Sequence, residues 1–200
     1  MGRYLSYRYR IISIIMKNII IAVVGLCGAG KSEVTNIFVN NSFVKVYFGD
    51  VTFDEMEKRN IPVTPENEKL IREELRATSD MAIYAKKSEP KIREAYENGK
   101  NVVVESLYSW SEYKYLKEIY KDDFKLLAVV TDKDLRAERL RNRPNRPLTD
   151  EEVTRRDYSE IENIEKAGPI AIADHFVLNN GSFEELKKQV EEYIMRINNN

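Results

Sequence analysis

Apolar residues along the chain occur in short runs that alternate with longer, charged segments. Four runs rich in β-branched residues stand out and a fifth is weaker; they cover Ile19–Val24, Val102–Val104, Leu126–Val130, Phe176–Leu178 and, as the weaker run, Phe43–Phe48. The charged segments between them have the length expected of helices. This alternation predicts an α/β fold in three layers (α/β/α), with a five-stranded parallel sheet covered by helices on both faces.

Several of the predicted helices begin with residues that cap a helix N-terminus. Thr64 stands directly before a proline, which is favoured in the first helical turn. Two other starts pair a hydroxyl residue with a glutamate three positions later, Thr149 with Glu152 and Ser182 with Glu185. We therefore expect helices to begin at these three places.

Two segments exceed what a repeating strand–helix pattern needs. Residues 51–100 carry an almost continuous helical pattern between the second and third predicted strands, and we interpret them as a helical insertion that binds a substrate. Residues 141–148 are rich in Arg, Pro and Asn. Pro144 and Pro147 lack an N–H donor and restrict the residues before them, so the preceding helix cannot continue. This second segment is predicted to be a mobile lid.

The first residues read differently from the rest of the chain. Residues 1–17 place basic residues ahead of a short apolar run, which falls below the about 20 apolar residues needed to span a bilayer. The run leads straight into the first predicted strand and leaves no cleavage site of small residues, as a signal peptide would require. We expect an N-terminal extension or a non-native start, followed by one domain over residues 18–200.

The overall charge and cysteine content narrow the possible partners. Thirty-two basic and 33 acidic residues nearly cancel, so no net field attracts the protein to nucleic acid or to an anionic membrane. The single cysteine cannot form an intramolecular disulfide, which is typical of a reducing compartment. These features predict a cytoplasmic protein with a small-molecule partner, and any basic site must be local.

A glycine-rich loop follows the first predicted strand directly. Residues 25–32 read G-L-C-G-A-G-K-S, which satisfies the pattern G-x-x-x-x-G-K-S between a strand and a helix. In this pattern main-chain N–H groups and a helix N-terminus attract phosphates, the lysine bridges the outer phosphates and the serine binds Mg²⁺. We therefore predict an ATP and Mg²⁺ site, with nucleotide contacts from Gly25, Gly28, Ala29, Gly30, Lys31, Ser32 and Glu33.

Two acidic residues end predicted strands at the edge where open α/β sheets bind ligands. Glu105 follows the apolar run Val102–Val104 and is predicted to hold Mg²⁺ together with Ser32, close to the substrate. Asp50 ends the weaker strand and leaves two interpretations open. It could cap the next helix, or it could face the phosphate acceptor and take the proton of a hydroxyl.

A cluster of arginines surrounds the predicted lid: Arg136, Arg139, Arg141, Arg143 and Arg146. Such a run of charged residues usually forms the solvent-exposed face of a helix. Here the prolines and the nearby phosphate site favour a lid whose arginines close over the phosphoryl group during transfer. We assign catalytic roles to Arg143 and Arg146, together with Lys31 and Asp50, and a nucleotide contact to Arg139. Arg155 or Arg156 could also face the site, and Arg76 is predicted to anchor an acceptor phosphate.

Cys27 and His175 allow chemical interpretations that we consider weaker. The electropositive loop could lower the pKa of the Cys27 thiol, yet a variable loop position explains this residue as well. His175 follows an aspartate at the start of a predicted strand without a metal-ligand cluster. A structural histidine is therefore expected.

Beyond the glycine-rich loop, four stretches carry a resemblance to a known group. They are residues 48–50 (FGD), residues 138–143 (ERLRNR), residues 148–157 (LTDEEVTRRD) and residues 173–182 (ADHFVLNNGS). Over Ile19–Ile194 the chain resembles P-loop NTPases of the dephospho-CoA kinase and nucleoside-monophosphate kinase-like group, and is similar above all to a poorly characterised dephospho-CoA-kinase-related family.

The resemblance implies an ATP-dependent kinase with a nucleotide-like acceptor. By analogy with that group, Asp50 would face the acceptor, the lid arginines would meet phosphates, and residues 179–181, with Asn180 and Gly181, would lie near the nucleotide base. Dephospho-CoA kinases usually carry a Pro-Leu-Leu loop after the third strand, whereas residues 105–110 here read ESLYSW. The acceptor pocket is therefore expected to differ.

Three functional alternatives are weighed against a dephospho-CoA kinase-like enzyme. A regulatory GTPase is excluded, because neither Asn-Lys-x-Asp nor Asp-x-x-Gly occurs in the sequence. A nucleoside or deoxynucleoside monophosphate kinase remains open, as does a non-catalytic nucleotide-sensing module.

Overall fold

The computed structural model describes residues 18–78 and 80–198, and the predicted extension over residues 1–17 lies outside them. The strands are β1 (Ile20–Val24), β2 (Val44–Tyr47), β3 (Val102–Glu105), β4 (Phe124–Val130) and β5 (His175–Leu178). The helices are α1 (Lys31–Asn40), α2 (Asp50–Lys58), α3 (Pro65–Thr78), α4 (Ile83–Glu97), α5 (Trp110–Tyr120), α6 (Lys133–Asn142), α7 (Asp150–Glu162), α8 (Ala167–Ala171) and α9 (Phe183–Asn198), with a 3₁₀ turn at Lys121–Asp123.

The five strands form one sheet in the order β2-β3-β1-β4-β5, and every neighbouring pair is parallel. This confirms the predicted α/β fold. β1 is central and pairs with β3 on one side and β4 on the other. Because all strands run the same way, their carboxyl ends lie at one edge, which is the usual ligand edge of an open sheet.

Side chains of the central strand alternate between two apolar cores, as the strand periodicity requires. Ile20, Ala22 and Val24 face one core, where they pack with residues of α2 to α5. Ile21 and Val23 face the other, where they pack with residues of α1 and α9. Burial on both faces explains why β1 reads as a continuous apolar run.

The segment between β2 and β3 folds as three helices. α4 packs against β2, β3 and α5, as a crossover helix does. α2 and α3 pack against each other and are additional to the single helix that a simple crossover requires. Within residues 18–78 and 80–198, no helix is both long and apolar enough to cross a membrane.

The predicted helix starts are confirmed. Thr149 and Glu152 form a reciprocal capping box, the hydroxyl of Ser182 accepts a hydrogen bond from the N–H of Glu185, and the hydroxyl of Thr64 accepts one in the first turn of α3. A further capping box at Ser109 starts α5 and was missed in the sequence.

Candidate active site

The glycine-rich loop connects β1 to α1 at the carboxyl edge of the sheet. Its backbone conformation requires glycine at two positions where a side chain would also collide with neighbours. Gly30 has φ 96° and a Cβ there would lie 2.2 Å from Nδ2 of Asn179, while Gly25 has φ 149° and a Cβ would lie 2.6 Å from the carbonyl oxygen of Val129. No side chain of the described residues caps the start of α1, so its first N–H groups remain available to phosphates.

Three distant side chains hold the loop in place. Asn179 donates through Nδ2 to the carbonyl of Ala29 at 2.8 Å, and the Thr131 hydroxyl donates to the same carbonyl at 3.0 Å. Arg136 donates to the carbonyl of Cys27 at 3.1 Å. The phosphate cradle is therefore supported by the residues that follow β4 and β5, and by α6, before any ligand binds.

The residues predicted to lie near the base follow β5. The side-chain oxygen of Asn180 accepts a hydrogen bond from the N–H of Asp132 at 2.9 Å, and Gly181 lines the cavity over the loop. Asn179, whose side chain supports the loop itself, was given no such role from the sequence. Only the three-dimensional contact between β5 and the loop reveals it.

Ser32 and Glu105 meet beside the loop. The hydroxyl of Ser32 donates to Oε1 of Glu105 at 2.8 Å, and Lys45 lies 2.6 Å from Oε2 of the same carboxylate. Mg²⁺ prefers oxygen ligands and is usually held by one or two protein groups plus substrate phosphates and water. The hydroxyl–carboxylate pair fits this requirement, although the described residues contain no cluster of three or more His, Cys, Asp or Glu side chains suited to a metal.

Lys31 points back over the loop rather than out into solvent. Its Nζ donates to the carbonyl of Leu26 at 3.0 Å. Burial, followed by the charge of the neighbouring Lys166, lowers the pKa of Lys31 to about 8. A phosphate group at the loop would supply the negative charge that this buried ammonium group lacks.

The structure divides the arginine cluster between different tasks. Arg139 and Arg143 line the cavity over the glycine-rich loop, whereas Arg146 lines an adjacent cavity and pairs with Glu68 of α3 at 3.2 Å. Arg141 pairs with Asp150 at the surface. Grouping Arg136 with the lid was wrong, because it is buried and forms two hydrogen bonds to Asp157.

The boundary of the predicted lid also needs correction. Residues 141–148 were assigned to it, but α6 continues through Asn142. Arg143 has an extended backbone with φ −67° and ψ 142°, because it precedes Pro144. The loop between α6 and α7 therefore begins at Arg143.

Two cavities meet at the carboxyl edge. The larger, about 880 Å³, lies over the glycine-rich loop, and the smaller, about 260 Å³, lies between α2, α3 and the start of the loop after β3. Tyr47, Ser106 and Tyr108 line both cavities. We call these three residues the shared wall; the two cavities adjoin there. A group bound over the loop and a group bound in the smaller cavity would therefore lie next to each other at these residues.

The smaller cavity is strongly basic. Five cationic side chains line it against two carboxylates, Glu68 and Glu160; the cations are Arg72, Arg76, Arg146, Arg156 and Lys166. Arg76 lies over the ring of Tyr84, with 4.8 Å from the guanidinium carbon to the ring centroid. Its Nε is buried without a hydrogen-bond partner among the described residues, which leaves a donor for a ligand.

Asp50 is the first residue of α2. Gly49 occupies the N-cap position and none of the described side chains caps the helix, so the interpretation of Asp50 as a helix cap was wrong. Among the described residues that line the two cavities, its neighbours Tyr47 and Gly49 appear but Asp50 does not. Burial, then Glu105 and then Asp50, raise the pKa of Tyr47. The negative charge of Asp50 thus acts on Tyr47, which lines both cavities.

A buried ionic cluster beside the loop was missed in the sequence. Lys166 pairs with Oε2 of Glu160 at 2.8 Å, and the same oxygen accepts a hydrogen bond from the N–H of Cys27 at 3.1 Å. Arg156 binds the other oxygen at 3.3 Å. The sequence shows no signal for this cluster, because Cys27 and Glu160 are 133 positions apart.

The contacts of His175 and Cys27 are those of residues that support the fold. His175 stands at the amino end of β5, opposite the ligand edge, with its ring stacked on Tyr193 at 4.4 Å between centroids. Burial and Arg196 lower the pKa of His175. Cys27 lies in the glycine-rich loop, where its backbone is bonded to Arg136 and Glu160.

The parallel sheet in this strand order, with a phosphate cradle at its edge, defines a P-loop kinase-like fold. Solved structures agree: shikimate kinase from Acinetobacter baumannii in complex with shikimate has a TM-score of 0.59 at 15% identity, covering 90% of this chain and 95% of that one. Dephospho-CoA kinase from Campylobacter jejuni has a TM-score of 0.58 at 16% identity, covering 90% and 97%. At such low identity these likenesses describe the fold alone.

Sequence comparison identifies the family. A family profile described as "AAA domain" matches residues 21–167, which shows that the chain carries a P-loop domain of that family. A UPF0200 protein of Pyrococcus abyssi (strain GE5 / Orsay) is 33% identical over 181 residues, covering 89% of this chain and 96% of the relative. A UPF0200 protein of Thermococcus gammatolerans is also 33% identical, covering 89% and 95%. The chain belongs to the UPF0200 family.

Proposed function

We propose that this protein is an ATP-dependent small-molecule kinase that transfers the γ-phosphoryl group of ATP to an anionic, nucleotide-like acceptor. The observation that supports this most strongly is the meeting of two cavities at one wall, one lined by the glycine-rich loop and the other by cations. A protein that only binds a nucleotide needs the first cavity but not the second. Phosphoryl transfer needs both, because catalysis here consists mostly of positioning and charge stabilisation.

On the nucleotide side, Ser32 and Glu105 would hold Mg²⁺, and Lys31 would contact the outer phosphates. When bound, the ion would neutralise charge that develops during transfer. The hydrogen bond from Ser32 to Glu105 supports this assignment, because it brings both oxygen ligands to one point beside the loop. Arg139 and Arg143 line the same cavity and would contact the nucleotide from the lid side.

We predict that Glu105→Gln raises the Mg²⁺ concentration needed for half-maximal turnover, by about tenfold or more. The amide keeps the shape of the side chain but loses the charge that attracts the ion. The measurement is a Mg²⁺ titration of turnover at fixed ATP, with Glu118→Gln on the exposed side of α5 as the control. An unchanged Mg²⁺ requirement in Glu105→Gln would contradict the metal assignment.

On the acceptor side, the lining matches a nucleotide in two respects. Arginine and lysine side chains suit a phosphate, and the unpartnered Nε of Arg76 offers a donor for it. Aromatic rings of Tyr47, Phe53, Tyr84 and Tyr108 offer apolar surface for a base. The acceptor that fits both features carries an anionic group and a planar ring.

The transfer itself forms one bond and breaks another. An oxygen of the acceptor binds the γ-phosphorus, and the bond from that phosphorus to the bridging oxygen breaks, with its electron pair remaining on ADP. If the acceptor oxygen belongs to a hydroxyl, as in dephospho-CoA, its proton must pass to a base, for which Asp50 is the sequence-based candidate. If it belongs to the phosphate of a nucleoside monophosphate, no proton has to leave.

One observation supports a second candidate function, a nucleoside-monophosphate kinase whose acceptor oxygen belongs to a phosphate. The carboxylates that line the acceptor cavity are already bonded to cations, Glu68 to Arg146 and Glu160 to Lys166. The Arg146 hydrogen bond lowers the pKa of Glu68 against the opposing effect of burial. For Glu160 burial alone would raise the pKa, but Lys166 and its other cationic neighbours lower it. Both carboxylates are therefore weak bases, which matters only for a hydroxyl acceptor.

An acceptor screen tests the proposal and separates these candidates. ADP production from Mg²⁺–ATP is measured with dephospho-CoA and with each common nucleoside and deoxynucleoside monophosphate in turn. We expect one acceptor class to raise the rate by about 10²-fold or more over the acceptor-free reaction. If no acceptor raises the rate while ATP still binds, the kinase proposal fails in favour of a nucleotide-sensing module.

We predict that Arg76→Met raises the KM for the accelerating acceptor by about tenfold or more and leaves kcat within a few fold. The guanidinium group is proposed to bind the acceptor in the ground state and the transition state alike. Arg93→Met, on the exposed side of α4, is the matched control. A fall in kcat with unchanged KM would contradict this role for Arg76.

A further inference from the structure

Lys166 is buried in the lining of the smaller cavity. It follows α7 and precedes α8, and only 2% of its surface is exposed. Its ammonium group lies 2.8 Å from Glu160 and 4.2 Å from the centre of the ring of Tyr108, which belongs to the wall shared by both cavities. An ammonium group so deprived of water requires negative charge nearby.

The carboxylate that pairs with Lys166 has to serve several cations. The carboxylate of Glu160 is shared between Lys166, Arg156 and the N–H of Cys27. Lys31 also lies within electrostatic reach of Lys166, Arg156 and Glu160. Among these described groups, three cations surround the carboxylate of Glu160, and the buried carboxyl group of Glu112 also lies within electrostatic reach of Lys166.

A purely structural ion pair explains this arrangement poorly. The buried pair of Arg136 and Asp157, which supports the loop, has one cation for one carboxylate. Here positive charge exceeds negative charge around two side chains that are almost closed to solvent, Lys166 and Glu160, while the Arg156 side chain is half exposed. This excess of positive charge lies directly beside the glycine-rich loop and next to the three residues that line both cavities.

Building on the proposed kinase function, we propose that Lys166 is a catalytic residue whose ammonium group contacts the phosphoryl group during its passage between the two cavities. Glu160 fixes the position of Lys166 and joins it to the glycine-rich loop through Cys27. In transit the phosphoryl group spreads negative charge over its equatorial oxygens. A preformed cation at that point stabilises the transition state without rearrangement.

During the step Lys166 forms no covalent bond and gives up no proton. The acceptor oxygen gains the bond to phosphorus, ADP keeps the electron pair of the broken bond, and the ammonium group remains protonated throughout. Removal of its charge should therefore affect kcat more than the binding of either substrate.

The test uses the variant Lys166→Met in the full chain, which keeps most of the length of the side chain and removes its charge. We expect kcat with the accelerating acceptor to fall about 10²–10³-fold while KM for ATP and acceptor stays within about threefold. Mg²⁺–ADP with aluminium fluoride, whose small anion resembles the phosphoryl group in transit, should bind at least about tenfold more weakly to the variant. Affinity for Mg²⁺–ADP alone should not change.

Two further variants keep the experiment conclusive. Lys188→Met, on the exposed side of α9, controls for loss of a lysine, and Lys166→Met combined with Glu160→Gln removes both charges if the single variant does not fold. Unchanged binding of ADP with aluminium fluoride to the folded variant would overturn the inference, as would failure of the native protein to bind that pair. Failure of the kinase proposal alone gives a different result. No acceptor is then phosphorylated by the native protein, but Lys166→Met still binds Mg²⁺–ADP with aluminium fluoride more weakly than the native protein does.

Discussion

Replacing Lys31 by methionine is expected to lower turnover by about 10²–10³-fold or more, because the ammonium group is proposed to contact the outer phosphates in the transition state. Methionine fills nearly the same space, so the packing around the loop should persist. The lysine is half-buried in the lining of the cavity, and loss of water around its ammonium group is the main reason that its pKa lies at about 8. Without a bound anion its charge stabilises the fold little, and the melting temperature should stay the same or rise.

Turnover and thermal melting of Lys31→Met should be measured on the same preparation. Lys114→Met, on the exposed side of α5, serves as the matched control and should leave both quantities unchanged. Near-normal turnover in Lys31→Met would remove the glycine-rich loop from the catalytic account. A large fall in melting temperature would instead assign Lys31 to the fold.

The second large effect concerns stability. Asp157→Asn is expected to lower the free energy of unfolding by about 3–5 kcal/mol, because it leaves the guanidinium group of Arg136 buried without its counter-charge. The pair is almost closed to solvent, with side-chain exposures of 6% and 11%, and is bidentate at 2.9 and 2.8 Å. Arg136 also binds the carbonyl of Cys27, so the glycine-rich loop should loosen as well.

The exposed pair of Arg141 and Asp150 provides the control, since its side chains are 44% and 71% exposed. Asp150→Asn should change the free energy of unfolding by less than about 1 kcal/mol. Chemical denaturation of both variants measures the difference. Similar small losses in the two variants would show that the Arg136–Asp157 pair contributes no more than a surface contact.

Features encoded by neighbouring residues could be predicted from the sequence. The burial of β1 on both faces makes it a continuous apolar run, and the glycines and Lys31 follow it in an order that only a phosphate cradle explains. The capping box at Thr149 needs just four consecutive residues. The fold class and the loop were therefore predictable from local patterns.

Features that depend on distant contacts could not be predicted in this way. Arg136 looked like one more lid arginine, because its partner Asp157 lies 21 positions away on another helix. Asn179 supports the loop across 150 positions, and Lys166 acquires its place only when α7 and α8 fold against the loop. Charge along a helix does not reveal whether a side chain will be buried and paired or left to meet a substrate.

If the two cavities act together as one phosphotransfer site, the γ-phosphorus of ATP must end on the acceptor. ATP labelled at the γ-phosphate is incubated with the protein, Mg²⁺ and the acceptor identified by the screen, and the products are separated. We predict that the label appears on the acceptor at the rate at which ADP forms, and that Lys31→Met slows this transfer by about 10²–10³-fold or more. Recovery of the label as inorganic phosphate alone, at a rate independent of acceptor, would contradict it.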